Sequence, residues 1–206
     1  MKAIFDKNLK ISIAVAAILW FLMFNPWMGL QQWFWPIMAA SSAILLFMAF
    51  RYGRIEIKFD FTQIVMGIAI AALLWGCFWV GDKVSGLIFN FSRMEINQIY
   101  SMGDGWPKWA IALQLLFLTG PAEEIFWRGF IQKRIGSKFG ATGAFFITLS
   151  IYTFIHIWSF NFMLVMAAMV AGALWGALYW WKPNSLGALV ISHALWDAVI
   201  FVFIPV

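Results

Sequence analysis

Long apolar runs separated by short polar breaks set the pattern of this chain. Runs of about 20 residues, enough to cross a hydrocarbon core of about 30 Å as a helix, fall at about 10–25, 30–50, 61–81, 109–134, 141–158, 161–181 and 185–205. Seven spans are predicted, and an eighth forms if 84–100 dips into the membrane. The expected fold class is all-α: a polytopic transmembrane helix bundle in one membrane domain. Residues 1–108 would supply the first helices, with an external interfacial segment at 82–106, and residues 109–206 the remaining spans. That segment mixes Asp82, Lys83, Arg93, Glu95 and Asp104 with Val84, Leu87, Ile88, Phe89, Phe91 and Ile96. It reads as an amphipathic helix lying at the interface, with a substrate-contacting gate as the functional alternative.

Composition agrees with this pattern. Of 206 residues 64% are hydrophobic and 11% charged, against about 25% charged in a soluble domain, and no soluble domain of useful size remains. Lys2, Lys7 and Lys10 ahead of the first run imitate a secretory leader, but the run ends in Phe24-Asn25-Pro26-Trp27 without a small-x-small cleavage pattern. A retained first helix is expected. The single cysteine, Cys77, excludes an intrachain disulfide.

The net charge of +5 suggests a polyanion partner only until the positions are mapped. Lys2, Lys7, Lys10, Arg51, Arg54, Lys58, Lys133, Arg134, Lys138 and Lys182 fall on one side of a seven-span arrangement, and Lys83, Arg93 and Lys108 on the other. By the positive-inside bias, the amino terminus is cytoplasmic and the carboxyl terminus external, in the inner (cytoplasmic) membrane. The charge is a topology signal, and no nucleic-acid partner is expected.

Against this apolar background six polar residues stand out. Glu123, Glu124 and Arg128 lie inside the fourth span. Each charged side chain near the bilayer centre costs roughly 2.5–3.5 kcal/mol on insertion scales. Both histidines of the chain, His156 and His193, also fall within spans, and Asp197 follows His193 by one helical turn. Glu124 with Arg128, and His193 with Asp197, share the i, i+4 spacing that puts two side chains on one helix face. Glu123 is rotated about 100° from Glu124 and faces a different neighbour. At ~1.5 Å per residue, Glu123, His156, His193 and Asp197 lie about 18, 22, 12 and 18 Å above the cytoplasmic side. Three helices therefore deliver titratable groups to one layer.

Several readings fit that layer. Each residue alone could be a hydrogen-bonding helix contact, worth about 0.6 kcal/mol on average. The pairs could relay protons through a transporter or channel, although no inverted repeat supports this, or the chain could be an inactive scaffold for a partner. A carboxylate and an imidazole beside a water form a general-base arrangement, and a second imidazole can steady an oxyanion. Together these are the parts for amide hydrolysis inside a membrane. Gly-x-Ser-x-Gly is absent and Cys77 has no nearby histidine, so serine and cysteine nucleophiles lack support. The zinc-peptidase signature His-Glu-x-x-His is absent too.

Glu123-Glu124-x-x-x-Arg128, then His156, then His193-x-x-x-Asp197 resemble the three motifs of the CAAX prenyl protease and bacteriocin-processing (CPBP, Abi) intramembrane proteases, which include the type II CAAX endopeptidases. The resemblance covers about 110–205. It departs from the family pattern at Tyr152, where Phe is usual, and at Asp197, where Asn often stands. An ionised Asp197 would repel an oxyanion, so it must be protonated or instead orient His193. The resemblance implies an intramembrane endopeptidase with its catalytic core in 109–206, acting on a membrane-associated protein or peptide. Glu123 would be the general base, His156 would help hold the attacking water, Glu124 and Arg128 would form a supporting pair, and His193 with Asp197 would steady the carbonyl oxygen. No cofactor is favoured; if a divalent metal such as zinc is used, Glu123, His156 and His193 would be its ligands.

Overall fold

The computed structural model describes residues 6–206; Lys2, one of the basic residues assigned to the cytoplasmic side, lies outside them. The described residues form helices and short connections, with no strand among them. Helix α1 (Lys7–Phe24) begins at Asp6, whose carboxylate accepts a hydrogen bond from the Leu9 amide at 3.1 Å, the usual N-cap arrangement. Helix α2 is Phe34–Tyr52 and α3 is Phe61–Ile88, the latter capped by Asp60 at the Gln63 amide. A short α4 (Ser92–Ser101) follows. Next come α5 (108–139), α6 (141–155), α7 (Phe162–Trp181) and α8 (Leu186–Ala198), the last continued by a wide turn over Val199–Phe203.

Among the described residues six helical stretches are long and apolar enough to cross a membrane, and the longest, Lys108–Ser159, breaks at Gly140. There φ is +72° and ψ 169°, a conformation essentially reserved for glycine. Gly136 and Ala144 would lie about 12 Å apart along a straight helix, yet a Cβ on Gly136 would sit 3.6 Å from that of Ala144. The chain therefore folds back at Gly140, and the seven predicted spans all have a counterpart.

The segment 82–106 is organised differently from the expectation. Helix α3 does not stop near residue 81 but runs on to Ile88, so 82–88 are its last turns rather than a connection. Asp82 remains helical and buried because Arg93 and Lys83 both pair with it. Helix α4 turns Ser92, Glu95, Ile96, Ile99 and Tyr100 toward the bundle and leaves Arg93, Met94, Asn97 and Gln98 exposed. The Glu95 carboxylate accepts from the Met163 amide at 2.9 Å and its carbonyl from Asn161 Nδ2 at 2.8 Å, which clamps α4 onto the start of α7.

Helix α8 is the axis of the bundle: Leu186–Val190 and Ser192–Ala194 are all buried. Helix α3 lies along it, and Gln63 Oε1 accepts from the Ala188 amide at 2.9 Å. Large apolar side chains such as Phe47, Leu73, Phe117, Phe154 and Trp181 point outward, as expected where lipid replaces water. At one end, Arg134 meets Asp6 at 2.9 Å, and Lys133 meets the Arg54 carbonyl at 2.9 Å and Glu56 at 3.3 Å. Three of the basic clusters grouped by sequence thus share one end of the molecule.

Candidate active site

Pro121 interrupts the middle of α5. It has no N–H for the Phe117 carbonyl one turn earlier, and the helix is widened on either side of it, over Leu115–Thr119 and Ile125–Gln132. Such wide turns recur at functional sites. Beside the proline, Gly120 presses against α8: a Cβ there would lie 2.6 Å from Ala194 Cα and 3.1 Å from the His193 carbonyl carbon. Only glycine permits this approach, which brings Glu123 and Glu124 level with His193.

Glu124 is the hub of an interhelical network. Its Oε1 accepts from Arg128 Nη1 at 2.7 Å and from His193 Nδ1 at 2.8 Å, with Glu124 and Arg128 both almost wholly excluded from solvent. Arg128 also donates from Nη2 to the Gly172 carbonyl at 3.0 Å and lies over the Tyr152 ring, 4.9 Å from its centroid. A charged guanidinium in such a place is tolerable because an anion, a carbonyl and an aromatic face surround it. His193 is stacked on Trp175 with centroids 3.9 Å apart. Its other nitrogen, Nε2, faces Asp197 Oδ2 at 3.4 Å.

Glu123 points elsewhere, as its rotation from Glu124 requires. Its Oε2 accepts from the Tyr152 hydroxyl at 2.9 Å. The Tyr152 carbonyl in turn lies 2.7 Å from His156 Nδ1, and the Trp20 indole N–H donates to His156 Nε2 at 3.1 Å. A carbonyl can only accept and an indole N–H can only donate. His156 is therefore held with its proton on Nδ1, and its Nε2 lone pair is occupied by Trp20.

Glu123, Tyr152, His156, Trp175, His193 and Asp197 all face one cavity of about 490 Å³. Its walls are otherwise largely apolar, from Phe34, Trp35, Ile88, Phe89, Ile96 and Ala171 among others, so that α2, α3, α4 and α7 all contribute. Of the six residues singled out from sequence, Glu124, Arg128, His193 and Asp197 meet directly, and Glu123 and His156 are joined through Tyr152. The pairing of Glu124 with Arg128 is the one their spacing predicts; its second bond, to His193, was not legible. Trp20, Tyr152 and Trp175 were missed as well. Tyr152 alone carried a signal, as a polar departure from a Phe position.

The set Glu123, His156 and His193 does not fit a metal ion as it stands. Both nitrogens of His156 and Nδ1 of His193 are engaged in hydrogen bonds, and among the described residues no three His, Cys, Asp or Glu side chains gather as ligands.

A bundle of helices long and apolar enough to cross a membrane is that of an integral membrane protein, and this one encloses carboxylates and imidazoles beside a cavity. Residues 105–199 match the family described as type II CAAX prenyl endopeptidase Rce1-like, and over this segment the chain is similar to the CAAX-type membrane endopeptidases. All six site residues lie inside the matched segment, whereas Trp20 lies outside it. No curated protein and no solved structure matches the chain. This similarity supports a peptide hydrolase of the membrane-protease kind.

Proposed function

We propose that Glu123 activates water directly, without a metal ion, to cut a peptide bond near the carboxyl end of a membrane-associated polypeptide. One observation carries this reading: Glu123 faces the cavity shared with His193 while only one of its oxygens is tied down, by Tyr152. Glu123 takes a proton from water as the water oxygen attacks the carbonyl carbon. His193, set by Glu124 at Nδ1 and by Trp175 under its ring, presents Nε2 to the carbonyl oxygen as that oxygen becomes negative. Asp197 Oδ2 lies 3.4 Å from the same Nε2. Asp197 orients the ring. The intermediate then collapses, and the departing amine collects the proton held by Glu123.

Trp20 occupies the nitrogen through which His156 would hold the water, so that role requires the indole to give way; in the resting arrangement His156 braces Tyr152. The apolar walls suit a greasy segment, and the family name directs attention to a prenylated carboxyl-terminal sequence. The basic clusters at one end of the bundle support a cytoplasmic amino terminus in the inner membrane.

The test uses purified protein in liposomes and an internally quenched peptide ending in Cys-aliphatic-aliphatic-Xaa, with and without farnesyl on the cysteine. Wild type should release fluorescence from the farnesylated peptide, and Glu123→Gln should not while remaining folded. Cleavage by Glu123→Gln at the wild-type rate would overturn the assignment.

A further inference from the structure

In a chain with 22 Phe and 4 Tyr, a tyrosine at membrane depth is a choice against the prevailing residue. A buried hydroxyl without a partner costs free energy that Phe would avoid. Tyr152 is buried and stands where the resembled motif usually carries Phe, from which it differs by the hydroxyl. That hydroxyl meets Glu123 Oε2 at 2.9 Å.

The surroundings leave the phenol little freedom. Gly172 lies against the ring: a Cβ there would come within 2.8 Å of Tyr152 Cδ1. Trp127 and His156 meet the ring edge-to-face, with centroids 5.4 and 5.0 Å away, and the Arg128 guanidinium covers a face. The ring is thus clamped on several sides, and the hydroxyl it carries has a fixed place beside Glu123. Among the described residues, no other hydrogen bond reaches the Glu123 carboxylate.

We propose that Tyr152 is a positioning residue for the reaction: its hydroxyl commits Glu123 Oε2 and so turns Oε1 toward the cavity as the oxygen that receives the water proton. This rests on the reading of Glu123 as base. Without the hydroxyl, the carboxylate rotates among orientations of which only some are productive. Chemistry then slows while the apolar contacts that bind substrate stay as they are, so kcat falls and KM does not. A hydrogen bond to a charged group is strong enough that its loss here should lower kcat roughly tenfold to a hundredfold.

The experiment compares wild type, Tyr152→Phe, Glu123→Gln and a protein carrying 3-fluorotyrosine at position 152, on the farnesylated quenched peptide in liposomes. Tyr152→Phe should remain folded, lose kcat to that extent and keep its KM, and 3-fluorotyrosine, which retains the donor, should restore the rate. Wild-type kcat in Tyr152→Phe, or loss of kcat that 3-fluorotyrosine fails to restore, overturns the proposal. A substrate-independent arm reads the ¹⁹F resonance of the 3-fluorotyrosine. It should move when Glu123→Ala is introduced, and an unmoved resonance overturns the proposal even if no peptide is cut. Should Glu123→Gln stay active while the ¹⁹F resonance moves with Glu123→Ala, the base assignment fails and Tyr152 fails with it as a catalytic aid, though the hydrogen bond stands.

Discussion

Glu124 Oε1 lies 2.8 Å from Nδ1 of His193, a residue sixty-nine positions further along the chain. Because the same oxygen also accepts from Arg128 at 2.7 Å, one carboxylate atom links the two motifs that sit on α5 and α8. Neighbouring glutamates thus have separate work: Glu124 builds the site and Glu123 faces the cavity.

That division predicts different failures. Glu124→Ala strands Arg128 in the interior and frees His193, and breaking a buried pair from one side costs on the order of 3–5 kcal/mol. The variant should unfold at clearly lower temperature in detergent and be inactive. Glu123→Gln keeps a group of the same shape beside Tyr152 and should unfold near the wild-type temperature. Equal thermal stability of wild type and Glu124→Ala would show that the network is not structural.

The Trp20 contact predicts a tautomer. The chain has two histidines, so ¹⁵N labelling of histidine alone yields two imidazoles to assign. His156 should carry its proton on Nδ1, toward the Tyr152 carbonyl, with Nε2 accepting from Trp20. Trp20→Phe should shift the Nε2 resonance of His156 and leave Nδ1 protonated. A wild-type spectrum with the proton on Nε2 would contradict the arrangement.

Close packing at Gly120 predicts a sharp contrast between two glycines. In Gly120→Ala the new methyl meets Ala194 backbone at 2.6 Å, so α5 and α8 must separate, at a typical overpacking cost of about 1–3 kcal/mol. Activity should fall steeply because Glu123 and His193 move apart with the helices. Gly76→Ala, with nothing within 4 Å of the added Cβ, should behave as wild type. Full activity in Gly120→Ala would mean the helix crossing does not set the site.

Metal dependence separates two mechanisms that share the same side chains. If Glu123 activates water directly, prolonged chelation should leave the rate unchanged, and the active protein should contain no stoichiometric zinc. Activity lost on stripping and regained on adding zinc back would establish a metal mechanism and require the Trp20 and Glu124 bonds to the histidines to open.

Orientation is checked with single cysteines in a Cys77→Ser background. Ser137→Cys, near the basic end of α5, should react with a membrane-impermeant maleimide only after the cells are opened. Asn97→Cys, on the exposed side of α4, should react in intact cells. The reverse pattern would invert the topology.

Sequence alone determined the number of spans and the pairing of Glu124 with Arg128. These rest on local quantities: how many apolar residues cross a bilayer and which positions share a helix face. Tertiary structure decided which faces meet. In a soluble helix the polar face marks the outside, but here lipid-facing and buried faces are both apolar, and composition does not report rotation about the axis. The bond from Glu124 to His193 therefore had no sequence signature, and neither did the reach of Trp20 from α1 to His156. The end of α3 was misplaced for a related reason. Asp82 and Lys83 read as a loop by their charge, yet Asp82 stays helical and buried because Arg93, from the next helix, pairs with it. Charge counts as polar along a sequence, but whether it ends a helix depends on the partner that folding brings to it.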